Sequence, residues 1–324
     1  MCNSIKNFSR LMLTNVLPLL AAVLVTSCAA SRNQEMLATG SNSLGLPPAP
    51  LPHYEAGTKF VYSNGTWETV MEAGPEQVAW INHRGNLSTG YPDFTYKRNT
   101  WKTRDRQGTR SYSQSDFWLQ EATRTLWPLK SGNKTRYDEI GWWSSSSGME
   151  RGYDSYWSCE VMGTERISVA AGDFDTWKIT CRRYPDKFRA NRKTREYRTW
   201  YYAPSINHWV LEERDYNGYR KNRRKELAAI LPDLDSFTEK VEDVVSLKKQ
   251  FQNTLESSKT GITDIWENPR GQLYASMTPK KSFRLENGNI CRQYHQVIGS
   301  AGNTYEFPGI ACRNGAGRWA VPRR

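Results

Sequence analysis

Histidine is scarce in this chain, with 4 in 324 residues, and cysteine numbers only 6. His53, His83, His208 and His295 are scattered and no C-x-x-C occurs. Zinc sites need such ligands clustered at short spacings, so no metal is expected, nor any other cofactor. No apolar run reaches the roughly 20 residues of a comfortable membrane span. Neither a G-x-S-x-G elbow, a P-loop nor a G-x-G-x-x-G is present, which removes the phosphate-cradling and nucleophile-elbow classes. Hydrophobic residues make up only 38%, yet 12% of the chain is aromatic and 13 residues are Trp. Disordered chains are poor in aromatics, so a packed core is expected.

The search for catalytic groups ends quickly. Glu212 and Glu213 are strand neighbours and face opposite sides. Asp173 and Asp175 share a face but flank a turn, where Asp usually bonds backbone. His208, beside Trp209, is the best single candidate base, and as a lone histidine it is expected to be structural. The chain is expected not to be an enzyme.

The N-terminus reads as an address. Lys6 and Arg10 precede the uncharged run Leu11–Val25, the pattern of a secretory signal. Val25-Thr26-Ser27-Cys28 resembles the bacterial lipobox, in which the Cys is diacylated on sulfur and becomes the N-acylated first residue. The resemblance implies a signal over residues 1–27 and lipid attachment at Cys28. Ala29, where Asp would signal inner-membrane retention, implies the outer membrane of a Gram-negative envelope. Residues 28–53, with Pro47-Pro48-Ala49-Pro50-Leu51-Pro52, read as a semi-rigid tether.

Cys2 leaves with the signal and Cys28 carries lipid, so four cysteines remain for an oxidising compartment. Three pairings are open. Local pairing, Cys159 with Cys181 and Cys291 with Cys312, is the simplest.

Residues 54–230 predict a curved antiparallel β domain. Lys59–Tyr62 and Trp67–Val70 flank Asn64-Gly65, a strong hairpin signal, and strand-turn-strand alternation continues to about position 225. This stretch holds every Trp except Trp266 and Trp319. Ala170-Ala171-Gly172-Asp173-Phe174 and Trp200-Tyr201-Tyr202-Ala203-Pro204 loosely resemble exported bacterial β-proteins with a WYAP-type signature. That resemblance implies a curved sheet and no activity. Leu234, Phe237, Val241, Val244, Phe251 and Leu255 follow helical spacing, and Asp233 can cap them, so an amphipathic helix is expected over 233–258. It can lie on the β domain, link the two domains, or self-associate. Residues 262–324 return to β. Cys291-Arg292-Gln293-Tyr294, Gly309-Ile310-Ala311-Cys312-Arg313 and Gly317-Arg318-Trp319 resemble the C-terminal domain of the bacterial seventeen-kilodalton surface antigen family, outer-membrane lipoproteins. Ala316 stands where that family has Asp, and its glycine-zipper segment is missing. The expected fold class is therefore mainly β, with a curved sheet domain, a linking helix and a small C-terminal β domain.

The formal charge is +12. Between Arg182 and Lys225, 14 Lys/Arg face 5 Asp/Glu, concentrating most of the excess. Export argues against nucleic acid. The available anionic partners are lipid head groups, lipopolysaccharide and cell-wall polymers, with Arg220, Lys221, Arg223 and Arg224 as the candidate contacts. Two functional readings follow. One is a non-enzymatic surface-antigen-like lipoprotein with a structural or interaction role in the envelope. The other is a periplasmic carrier holding a lipid or hydrophobic ligand in its curved sheet.

Overall fold

The structure, a computed structural model, describes residues 44–114, 125–185 and 193–322. The signal region, Cys28 and the first part of the tether lie outside the described residues.

Strand alternation and tight turns build a long meander. Its first strands are β1 (Lys59–Tyr62), β2 (Trp67–Ala73), β3 (Val78–Asn82), β4 (Leu87–Gly90), β5 (Thr100–Lys102) and β6 (Arg106–Gln114). β7 (Lys134–Ser145), β8 (Glu150–Val169), β9 (Gly172–Tyr184), β10 (Glu196–Ala203), β11 (His208–Asp215) and β12 (Arg223–Leu231) follow. Each strand pairs antiparallel with the next, and β12 returns to pair with β1 through Lys59↔Leu231 and Phe60↔Ile230. Closure removes the unpaired edges that an open sheet of this length would expose. The hairpin at Asn64-Gly65 forms as its sequence predicts. Asn64 Oδ1 accepts from the Thr66 amide at 3.1 Å, and Gly65 takes φ 78°.

A second meander comprises β13 (Asp264–Glu267), β14 (Leu273–Arg284), β15 (Ile290–Ser300), β16 (Asn303–Arg313) and β17 (Trp319–Ala320). The two β segments expected as separate domains share one hydrogen-bonded sheet, joined where Ala229 of β12 meets Gly309 of β16. A Cβ on Gly309 would stand 2.6 Å from the Tyr294 hydroxyl and 2.8 Å from the Ala229 Cβ. Only glycine allows this approach of backbones.

The helix differs from its expected span. α1 runs Val241–Ser257, and Leu234–Ser236 forms a separate 3-10 turn. Asp233 caps that turn by accepting from the Asp235 amide, Phe237 closes it, and the chain is extended at Lys240 before α1 begins. Phe237 then packs edge-on against Tyr305 and Phe307 of β16. Helical spacing at Leu234 and Phe237 thus serves a sheet face instead. α1 lies on β13, β14 and β17, burying Val244, Leu247 and Leu255. Burial of such side chains contributes about 1.5–3 kcal/mol each.

The end of the Pro-rich segment is docked. The Leu44 amide donates to Thr164 Oγ1, and Ala49 and Leu129 exchange backbone hydrogen bonds. Residues 44–53 therefore extend the barrel's surface, in contrast to the free spacer expected up to position 53.

The connection between β4 and β5 fills the barrel. Phe94 packs against Trp127, Trp200 and Tyr202, and Tyr96 against Tyr112 and Tyr137. The Tyr137 and Tyr112 hydroxyls donate to the carbonyls of Thr95 and Lys97. An aromatic core thus packs around an internal segment.

Candidate functional site

Period-two alternation places Tyr137 and Glu139 of β7 inside the barrel and leaves Ile140 and Trp142 outside. The same rule turns Ser155 and Trp157 of β8, Arg183 of β9, Glu196 and Arg198 of β10, and Glu212 and Arg214 of β11 toward one interior band. Residues two apart on a strand share a face, so each of the two Glu-x-Arg sequences becomes a same-face ion pair. The internal segment adds Lys97 and Arg98, β6 adds Arg110, β2 adds Glu68 and β12 adds Lys225.

Each glutamate of this band sits between two cations. Glu139 accepts from Lys97 Nζ at 2.9 and 2.8 Å and pairs with Arg110 at 3.4 Å; Ser155 Oγ and Trp157 Nε1 also donate to it, at 2.9 and 2.6 Å. Glu196 is held by Arg198 at 2.5 Å and approached by Arg183 at 4.0 Å. Glu212 pairs with Arg214 at 2.7 Å and with Arg198 at 3.8 Å. Glu68 lies 3.4 Å from Lys225 and 3.6 Å from Arg98. Arg198 serves two glutamates, so among the described residues the band holds seven cations against four carboxylates. Aromatic faces support the excess charge. Lys225 Nζ is 3.6 Å from the centre of the Tyr62 ring, Arg98 is 4.1 Å from Trp80, and Arg198 is 5.1 Å from Trp157.

Burial pulls the Lys97 ammonium down to about 7 despite Glu139 beside it, with Arg183 and Arg198 adding repulsion. Burial alone would raise Glu139, yet Lys97 and the Trp157 hydrogen bond hold it down to about 2. Glu68 and Glu196 are also lowered, by their cations against the opposing effect of burial. A carboxylate lowered in the fold stabilises fully above its unfolded value and loses that contribution as pH falls through its folded one. The contribution of these carboxylates is therefore expected to hold above about pH 4.5 and to decline progressively toward about pH 2, on top of the loss that a neutral buried His208 brings below about pH 6.5. A pH series of urea midpoints, with no loss between pH 4.5 and 2.5 as the contrary result, checks this.

His208 is not part of this chemistry. It is buried, its Nδ1 and Nε2 lie 3.3 and 3.1 Å from the Tyr54 and Tyr62 hydroxyls, and it stacks on Phe60. Burial, with Lys225 and Arg98 nearby, pushes it well below its ordinary range. It is a neutral core group, as its isolation in the sequence suggests. Among the described residues no group of three or more His, Cys, Asp or Glu is arranged to hold a metal ion.

The basic run lies in the connection between β11 and β12, at the same end of the barrel as the charged band, since Tyr197 pairs with Asp215 and Glu196 with Arg183. Arg220, Lys221 and Arg223 are exposed. Arg224 is committed to Glu213 at 2.5 Å and Glu226 at 2.6 Å.

The cysteines are joined across neighbouring strands, Cys159 to Cys181 between β8 and β9 and Cys291 to Cys312 between β15 and β16. The other residues that carry the C-terminal resemblance form a clasp between α1 and its sheet. Arg292 donates to the carbonyls of Leu255 and Ser258, and Tyr294 packs on Phe251. Trp319 exchanges hydrogen bonds with Gln252 and donates from its ring to Glu256, which also pairs with Arg313. Gly317 supplies φ 73° in the turn before Trp319. The motif residues hold α1 on its sheet.

The fold and band define a closed, charge-lined β-barrel with a clasped helix–sheet module. Residues 253–320 match the family described as the 17 kDa outer membrane surface antigen. Curated relatives named 17 kDa surface antigen include those of Rickettsia bellii, 34% identical over 70 residues, and Rickettsia conorii, 36% over 70; each alignment covers 22% of this chain. That of Rickettsia prowazekii is 35% identical over 75 residues, 23% of this chain. The matched stretch spans 44–47% of these relatives' own length. Among solved structures, the hypothetical lipoprotein YmcC of Escherichia coli aligns at TM-score 0.34 and 10% identity, over 52% of this chain and 82% of its own. A Bacteroides fragilis protein described as exported and YmcC-like aligns at TM-score 0.28 and 12% identity, over 55% and 97%. Likeness at these scores bears on neither site nor function. The surface-antigen match supports an envelope protein.

Proposed function

We propose that this chain is a non-enzymatic lipoprotein anchored in the outer membrane through Cys28, whose barrel presents a basic end to anionic envelope components. The observation that carries the reading is the C-terminal module, where the surface-antigen motif residues rebuild one helix–sheet clasp. Two or more acyl chains make membrane attachment persistent. The alternative of a hydrophobic-ligand carrier has less support, since Phe94 and Tyr96 pack inside the barrel, and the cavity beside them, lined by Tyr91, Tyr96, Tyr112, Leu126 and Trp127, has a volume of about 540 Å³.

Two tests address anchor and surface separately. The Cys28→Ala variant is expected in the soluble periplasmic fraction or as uncleaved precursor; retention in carbonate-washed outer membrane refutes the anchor. Changing Arg220, Lys221 and Arg223 to Glu is expected to weaken binding to anionic vesicles on the order of a hundredfold at low salt, from about 1 kcal/mol per basic residue. Binding indifferent to both salt and these changes refutes the surface contact, since exposed charges are screened over about 8 Å at physiological ionic strength.

A further inference from the structure

The charged band is built asymmetrically. Three of its glutamates lie deep, with side chains 0%, 6% and 7% exposed at Glu139, Glu196 and Glu212. The cations above them keep contact with solvent, at 21% for Lys97, 25% for Arg183 and 31% for Arg214. Burying charge is costly unless it is paired, and among the described residues the band has four carboxylates for seven cations. Arg183 is the least satisfied member. Its guanidinium reaches Glu196 only at 4.0 Å, and its buried Nε has no hydrogen-bond partner. A guanidinium that is 25% exposed and only loosely paired, sharing Glu196 with a second arginine, matches the fork geometry and charge of a phosphoryl group. A phosphate monoester carries about −1.5 to −2 at neutral pH, enough to offset part of the three-charge excess.

We propose that this end of the barrel is a binding site for a phosphoryl group, received by Arg183 with Lys97, on which no bond is made or broken. The carboxylates beneath hold the cations apart and aim them outward, so the site is preorganised. The inference goes beyond the envelope anchoring proposed above and uses none of the surface residues Arg220, Lys221 or Arg223. Its ligand is either a lipid phosphate head group or a soluble phosphate ester.

The test uses the full chain in detergent. Inorganic phosphate and pyrophosphate are titrated at constant ionic strength against chloride, with binding read by calorimetry and by thermal midpoint. Wild type is expected to bind and to gain stability with phosphate. Arg183→Gln is expected to lose about tenfold or more in affinity, and Arg183→Lys, which keeps the charge but not the fork, to weaken binding as well. The Arg220/Lys221/Arg223 variant is expected to bind phosphate as wild type does, which separates this site from the vesicle contact. Vesicles containing phosphatidic acid serve as competitors: displacement of phosphate assigns the lipid head group, and no displacement assigns a soluble ester. Phosphate no better than chloride for the wild type overturns the site, as does unchanged affinity in a folded Arg183→Gln variant.

Discussion

Glu139→Gln is expected to destabilise the protein by about 3–5 kcal/mol, the usual cost of removing one partner from a buried ion pair. The substitution preserves volume and leaves an oxygen for the Trp157 ring N–H, so packing is nearly unchanged. What it removes is the one negative charge facing both Lys97 and Arg110. Glu139 has a fully buried side chain and five donors around it, from Lys97, Arg110, Tyr153, Ser155 and Trp157. Without its charge, Lys97 stands beside Arg183 and Arg198 with only their shared Glu196 to offset the repulsion. A second substitution tests that cause. Glu139→Gln combined with Lys97→Met is expected to recover part of the loss, because replacing a buried pair with apolar groups is often close to neutral. Urea unfolding of the three proteins decides the matter. A single-variant loss below about 1 kcal/mol, or a double variant less stable than the single, removes Glu139 as the keystone of the band.

Much of this architecture is legible in the chain because strand physics is local. Asn64-Gly65, the alternation through β7 and the aromatic density each point to a curved antiparallel sheet. Closure is not local. The pairing of β1 with β12 joins residues from opposite ends of the meander, and no short-range pattern encodes it. The internal segment is also concealed, since Tyr91-Pro92-Asp93 looks like an ordinary turn. Its one signal is Phe94 and Tyr96, two aromatics in a connection where polar residues are the norm. The charged band is visible in the sequence and hard to interpret there. Glu196-Tyr197-Arg198 and Glu212-Glu213-Arg214 place opposite charges two apart on a strand, the spacing of a same-face pair. On a solvent face such pairs mean little; inside a closed barrel they set the electrostatics. Ile140, exposed beside buried Glu139, is the inverted pattern that distinguishes the two cases. The helix start fails for a different reason: Asp233 can cap a 3-10 turn as readily as an α-helix, and Phe237 satisfies either surface.

Arg292→Met is expected to cost about 2–4 kcal/mol and to loosen the last turn of α1 before any barrel strand, since hydrogen bonds from a charged donor are worth about 1.5–3 kcal/mol each before relaxation. The reason lies in how this helix ends. The last carbonyls of a helix have no partners within it, and a glycine just past the end usually lets the chain turn back to satisfy them. α1 ends instead on Ser258 in extended conformation, and Gly261 lies too far along to serve. Arg292, reaching across from β15, supplies the donors: one nitrogen to the Leu255 carbonyl at 2.7 Å and another to that of Ser258 at 2.8 Å, with Nε anchored by Ser282 Oγ at 3.0 Å. Its positive charge also suits the negative end of the helix dipole. The residue beside Cys291 in the surface-antigen motif is thus a helix cap supplied from the sheet. Hydrogen exchange gives the site-resolved measurement. In Arg292→Met the amides of Thr254, Leu255, Glu256 and Ser257 are expected to lose protection while those of β8 and β9 keep theirs. Arg292→Lys, able to reach fewer of the three acceptors, is expected to fall between the two. Unchanged exchange across the last turn of α1, with unchanged unfolding midpoint, would show that the helix end is held by Leu255 and Phe251 packing alone.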